Sequence, residues 1–265
     1  MPYLIIENLN LKNNLINLKI NKGEAIGVFG KNKHLVFDFL KAASGINKSG
    51  ACFYEDKDVF DNPEYFQLRI LLDFSHTYLS TLRVSKIEEV LKNRYNLRFN
   101  KDKLIKIGKD LDIRGETEIT HQYQFTSAGN TFVNYALTVA LEKPNIIIAN
   151  PTYGLNLKED IDYVVNGITD TKVFNTAIIA LDKLKPFENK LSKILLFTDF
   201  DTAYTLDSTI KLIVVPKEID LDYPLFISQG RLIGLSTFTK EELKYFQRNK
   251  ISYELISIFD LEDYL

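Results

Sequence analysis

The chain has 265 residues, 45% of them hydrophobic, with a formal net charge of -2. That is enough apolar material for one substantial core and excludes an intrinsically disordered protein. The near balance of charge removes the electrostatic basis for nucleic acid as a main partner, and a single cysteine, Cys52, excludes an internal disulfide framework and fits a reducing compartment. No run approaches the ~18 apolar residues that span a bilayer. The start, Met1 to Glu7, lacks a basic region followed by a long apolar stretch, so a soluble cytoplasmic protein without direct membrane insertion is expected.

Short apolar runs of β type open the chain at Tyr3 to Ile6, Leu15 to Ile20 and Glu24 to Phe29, the last ending in Gly30. A helical pattern follows, with Leu35, Phe39, Leu40 and Ala43 on one face and Gly45 as its stop. Strands are predicted at Ala51 to Tyr54 and Leu68 to Leu72. From Val84 to Leu141 the period becomes helical, with Ser127 as the N-cap of a helix that ends just before Pro144. Apolar runs then recur at Asn145 to Ala149, Thr176 to Leu181, Lys193 to Phe197 and Ile210 to Val215. Continuous apolar strands separated by helices predict a parallel sheet covered on both faces. A strand pair over Leu225 to Ile233, a helix near Lys240 to Phe246 and a strand from Tyr253 to Ile258 complete an α/β domain.

The order of short signals resembles the ATPase domain of ABC transporters. That family's phosphate loop reads Gly-Pro-Asn-Gly-Ala-Gly-Lys-Ser-Thr before a helix ending in Ala-Gly. Here strand Ala25 to Phe29, containing Gly27, leads into Gly30-Lys31-Asn32-Lys33-His34-Leu35-Val36-Phe37-Asp38, and the helix ends at Ser44-Gly45. Thr126-Ser127-Ala128-Gly129-Asn130 is similar to the Leu-Ser-Gly-Gly-Gln signature. Ile146 to Ala149, then Asn150-Pro151-Thr152, stands where the family has an apolar strand ending Asp-Glu-Pro-Thr, and Tyr153-Gly154-Leu155-Asn156 matches its Ser-Gly-Leu-Asp loop. Thr81-Leu82-Arg83-Val84 resembles Thr-Leu-Thr-Val, and the tail from Gly230-Arg231 to Leu265 is similar to endings common among ABC exporters.

The resemblance implies a mostly parallel P-loop core sheet, an N-terminal antiparallel β patch and an inserted helical subdomain. One domain over 1-265 is expected, with its core in 1-80 and 143-216, the helical subdomain in 81-142 and a C-terminal strand and helix extension in 217-265. The stretch between Asn156 and Lys193 is longer than the family's spacing and implies an insertion. No aromatic near Asn13 fits the adenine-stacking position.

The same alignment implies lost chemistry. A phosphate cradle needs glycines whose backbone N–H groups converge, a lysine for the β/γ-phosphates and a hydroxyl for magnesium. The lysine position holds Val36, the Walker B aspartate position Ala149, the catalytic glutamate position Asn150, and the switch histidine position is assigned to Asp199. Gly27, Gly30 and Asn32 remain as a loop remnant; Lys31 or Lys33 stays open as an alternative phosphate contact. Charge-assisted contacts are worth about 1.5–3 kcal/mol each, so losing three weakens ATP binding by roughly three to six powers of ten.

The implied protein is a noncatalytic subunit with no cofactor in its own site. ATP and magnesium enter only as ligands of a partner, capped in trans by Ser127, Ala128, Gly129 and Asn130; for Ser127 a plain helix cap is the competing reading. The expected partners are an ABC ATPase paralogue or a second copy, and a membrane-spanning transporter subunit that places the chain on the cytoplasmic face. Phe74, Ser75, His76, Tyr78, Leu79 and Asn156 are the expected partner contacts, and core packing is the alternative for the apolar ones. A structural scaffold that uses no nucleotide is the alternative function.

Overall fold

The structure is a computed structural model that describes residues 3–78, 84–95, 98–111, 126–236 and 239–265. In chain order the strands and helices are β1 (Leu4–Leu11), β2 (Asn14–Ile20), β3 (Glu24–Gly30), α1 (Lys33–Ala43), β4 (Cys52–Tyr54), β5 (Lys57–Asp58), α2 (Pro63–Leu68) and β6 (Arg69–Asp73). Then follow α3 (Val84–Tyr95), α4 (Lys101–Asp110), α5 (Ser127–Ala140), β7 (Asn145–Ala149), α6 (Lys158–Ile168) and β8 (Thr176–Ala180). The remainder is β9 (Lys193–Phe197), β10 (Ala203–Asp207), β11 (Lys211–Pro216), β12 (Tyr223–Ser228), β13 (Arg231–Leu235), α7 (Lys240–Arg248) and β14 (Glu254–Ser257), closed by a 3-10 segment, Ile258–Tyr264.

Among the described residues these strands form three sheets. The central one has the order β10-β9-β3-β8-β7-β6, parallel from β9 to β6, with β10 antiparallel at one edge. Past their first residue its inner strands are apolar at every position because both faces are covered. Ile26, Val28, Ile147, Ala149, Ile178 and Ala180 face a cluster shared with α1 and the first strands. Their neighbours Ile146, Ile148, Ala177 and Ile179 face a second cluster, shared with α5, α6 and the C-terminal strands. Each buried Ile or Val side chain contributes about 1.5–3 kcal/mol of transfer free energy, so these two layers dominate the stability.

The N-terminal sheet, β2-β1-β4-β5, is the expected antiparallel patch. Its hairpins turn through paired left-handed residues, Lys12-Asn13 (φ 47 and 72) and Glu55-Asp56 (φ 49 and 63). Two successive positive φ values match the right-handed strand twist. The third sheet, β12-β13-β11-β14, is fully antiparallel.

Two expectations change here. The run Ile210 to Val215 belongs to this third sheet, because β11 pairs antiparallel with β13 and β14 and not with a strand of the core. The stretch from Asn156 to Lys193 carries no insertion outside the fold: it holds α6 and β8, and β8 sits at the centre of the parallel sheet.

Candidate functional site

Open parallel sheets present their ligand-binding residues beyond the carboxyl ends of the strands. At that end meet the loop after β3, the loops after β6 and β7, and the chain after β8.

After β3 the chain turns into α1 at once. Asn32 is the N-cap, its side chain accepting from the backbone N–H of His34 (3.2 Å) and Leu35 (3.4 Å). Helix α1 therefore begins at Lys33, so Lys33, His34 and Leu35, loop residues in the phosphate-binding motif, are helical. Leu35 and Val36 are buried in the core. Gly27 and Gly30 have a packing reason to be glycine. A Cβ on Gly27 would lie 2.8 Å from Leu181 and Leu191, and one on Gly30 2.8 Å from Phe197 Cβ. Phe37 and Asp38, at the hydroxyl positions, are half-buried, and Asp38 reaches Lys41 at 3.9 Å.

The two lysines left open by the sequence diverge. Lys31 Nζ donates to Asp199 Oδ2 (2.8 Å) and to the Ile227 carbonyl (3.0 Å). Lys33 lies over the Phe29 ring at 5.3 Å; burial lowers its pKa, and the Asp182 carboxylate opposes that shift.

Ala149 is buried on the α1 side of β7. Asn150 follows with φ 52, a left-handed conformation that asparagine tolerates. Its N–H donates to the Ala180 carbonyl (3.1 Å), and its carboxamide to Asp73 Oδ1 (2.9 Å). Asp73, at the end of β6, is a hub with no sequence signal. It also accepts from the Ser75 N–H (2.9 Å) and hydroxyl (2.7 Å), and its Oδ2 lies 2.8 Å from His76 Nδ1, while its own N–H donates to the Tyr78 hydroxyl. Burial pushes the Tyr78 hydroxyl pKa up. Ser75, His76 and Tyr78 are thus brought together with the Asn150 position. Phe74, expected at a partner surface, is fully buried and packs in the core instead. Leu79 lies outside the described residues.

The helix of the signature segment is capped one residue earlier than expected. Thr126 is the N-cap of α5, its hydroxyl accepting from Gly129 N–H (3.1 Å), so Ser127 is the first helical residue and its side chain is not spent on capping. Ser127 is exposed and Ala128 half-buried. Gly129 and Asn130 are buried, and the Asn130 carboxamide turns inward to the His76 carbonyl at 3.0 Å. Asn130 is therefore corrected from a trans contact to a brace, repeated one turn on by Asn134 (2.9 Å to the same carbonyl). The 153–156 loop lies against this helix start. Gly154 has φ +73, and a Cβ there would sit 2.5 Å from Ser127 Cβ. Tyr153 and Asn156 are exposed beside it.

Asp199 is the residue expected at the switch position. It follows β9 and engages Lys31, whereas the strand between β3 and β7 is β8. Beyond the end of β8, Asp182 contacts the loop after β7, accepting from the Thr152 hydroxyl (2.8 Å) and N–H (3.4 Å). Burial raises the Asp182 pKa, and the Thr152 hydrogen bonds oppose the shift. The signal that could have found it is Leu181-Asp182 directly after the apolar run Ala177 to Ala180.

This architecture is the fold of the ATP-binding subunits of ABC transporters. CbiO1 of Clostridium perfringens, part of the ABC transporter complex CbiONQ, matches at TM-score 0.60 and 14% identity, over 78% of this chain and 88% of its own. A candidate cobalt transport ATP-binding protein, CbiO-2, matches at TM-score 0.64 and 14% identity, over 89% of this chain and 93% of its own. An ATP-binding cassette of an ABC transporter in its ADP conformation matches at TM-score 0.56 and 15% identity, over 77% and 90%. No protein-family model matches the sequence, and no curated protein matches it. No helix among the described residues is long and apolar enough to cross a membrane.

Proposed function

We propose that the chain is a noncatalytic ABC-type subunit that docks on a membrane transport complex and pairs with an ATPase-competent partner. The observation that carries this reading is the start of α1 at Lys33, with Asn32 spent as its cap and Val36 buried. A magnesium nucleotide does not fit these residues. The backbone N–H groups that would converge on phosphate belong to a closed helical turn. The cation nearest the loop is already neutralised by Asp199, and β7 ends in an alanine where a magnesium ligand would stand.

What the chain retains is the surface that faces outward. Ser127 is exposed at the first turn of α5, where the helix's N-terminal N–H groups favour an anion. Gly154 seats the neighbouring loop against it. In this reading Ser127 and Ala128 complete a nucleotide site held by the partner.

Two experiments test the reading together. Affinity purification of the chain from its native host is expected to bring down an intact ABC ATPase and a multispan membrane protein. In that complex Ser127→Glu, which sets a carboxylate against the partner's γ-phosphate, is expected to lower ATPase activity at least tenfold. Recovery of neither partner, or unchanged activity of the Ser127→Glu complex, would move the assignment to a nucleotide-independent scaffold.

A further inference from the structure

The third sheet meets the core at the carboxyl ends of the parallel strands. Its outer strand β12 pairs only with β13 among the described residues, which leaves one edge of backbone groups to be satisfied elsewhere. The core satisfies those of Leu225 and Ile227. The Asp199 N–H donates to the Leu225 carbonyl (2.9 Å), the Ile227 N–H donates to Asp199 Oδ2 (3.1 Å), and the Ile227 carbonyl accepts from Lys31 Nζ (3.0 Å). The Lys31 ammonium closes the arrangement on the same Asp199 oxygen at 2.8 Å, 5.3 Å from the centre of the Phe226 ring. The one cation directly following Gly30 is thus held by three groups outside its own loop.

The 3-10 segment grips the core a second time, at the loop after β8. Glu262 accepts from the Leu184 N–H (2.7 Å), and Asp260 pairs with Lys185. Between these polar anchors the contact is apolar: Leu225, Phe226, Ile258 and Leu261 are fully buried in one cluster with Leu181 and Leu184. A hinged lid would leave such side chains exposed whenever it opened, so this junction is part of the core.

We propose that the C-terminal sheet is an integral cap on the carboxyl ends of β3, β8 and β9, in which Asp199 and the edge of β12 take the place of phosphate as the partners of Lys31 and order the β3–α1 loop. The inference rests on the noncatalytic reading and deepens it. The loop's conformation is fixed from within the chain, so this subunit presents one state whether or not nucleotide is available.

Hydrogen–deuterium exchange of the full chain tests the cap. In Asp199→Ala, exchange at 31–35 and 223–228 is expected to rise about tenfold, the scale of one charge-assisted contact. Exchange in β7 is expected to stay unchanged. Asp199→Asn keeps an acceptor for the Ile227 N–H but loses the ion pair, and should raise exchange at 31–35 more than at 223–228. If Asp199→Ala loosens the whole chain, Lys31→Met decides, since it keeps the stem over Phe226 and removes only the charge. Unchanged exchange at 31–35 in Lys31→Met and Asp199→Asn would overturn the cap. Adding magnesium ATP at millimolar concentration should leave wild-type exchange at 31–35 as it was. Protection there by ATP would instead sink the noncatalytic reading, so the two failures are separable.

Discussion

Gly154 joins the loop after β7 to the start of α5, and replacing it with alanine perturbs that joint alone. The residue has φ +73, which costs a residue with a Cβ about 1–3 kcal/mol. The added carbon would also fall 2.5 Å from Ser127 Cβ, 2.8 Å from Ser127 C and 2.9 Å from Ala128 N. Two of those atoms are backbone in the first turn of a helix capped by Thr126, so the helix cannot yield by a side-chain rotation. Relief requires the 153–156 loop to lift, and overpacking of this kind costs about 1–3 kcal/mol more. Together the terms predict a destabilisation of about 2–6 kcal/mol, or a fall in Tm of roughly 4–24 °C at about 2–4 °C per kcal/mol. Differential scanning calorimetry of wild type and Gly154→Ala reads this directly. In the purified complex the same variant should also lower the partner's ATPase, because Ser127 is no longer seated. A Tm within about 2 °C of wild type would refute the reasoning, since neither the left-handed strain nor the contact with α5 could then be present.

Two further predictions probe the site from its interior. Val36→Lys restores the motif's lysine by sequence but places an ammonium at a position 3% exposed, among apolar neighbours. It is expected to destabilise the chain by several kcal/mol in a urea titration without conferring ATP binding; a stable variant with magnesium-dependent ATP binding would contradict the geometry of α1. Asp182→Asn keeps an acceptor for Thr152 while removing a buried charge. Because the folded-state pKa of Asp182 is raised, its stabilisation is complete below the unfolded carboxylate value and is lost as pH rises through the folded value. The Asn variant should therefore exceed wild type in Tm at neutral pH, with the gap closing on acidification below the ordinary carboxylate range; a pH-independent gap would rule this origin out.

The central sheet was readable from the sequence because its strands are buried on both faces. The runs Asn145 to Ala149 and Lys193 to Phe197 coincide with β7 and β9, and after their first residue both are apolar without interruption. Elements that bury less carry weaker signals. β10 is half-buried or exposed at every residue but Leu206, and α6 has at its N-cap Leu157, which offers no side-chain cap, so neither carries a clear signal. α2 has only six residues, although Asn62 followed by Pro63 is a cap and first-turn pair that could have marked it.

The site was readable at single positions and not in its connections. Val36, Ala149 and Asn150 can be placed by counting from motifs. Asp73 binding Asn150 spans 77 positions, and Lys31 binding Asp199 spans 168, distances over which residue order says nothing about proximity. Asp199 was assigned to the switch position for the same reason. Two apolar strands, β8 and β9, each precede an aspartate within two residues, and only the sheet order shows that β8 lies between β3 and β7. Phe74 failed as a surface residue because an aromatic after a strand reads alike whether it points inward or outward.

In the proposed function this chain holds no nucleotide of its own. Calorimetric titration of the purified chain with magnesium ATP, repeated after adding the ABC ATPase that co-purifies with it, measures this. No heat of binding is expected for the chain alone, and tighter nucleotide binding in the mixture than for the partner by itself. Micromolar, magnesium-dependent binding by the chain alone would contradict it.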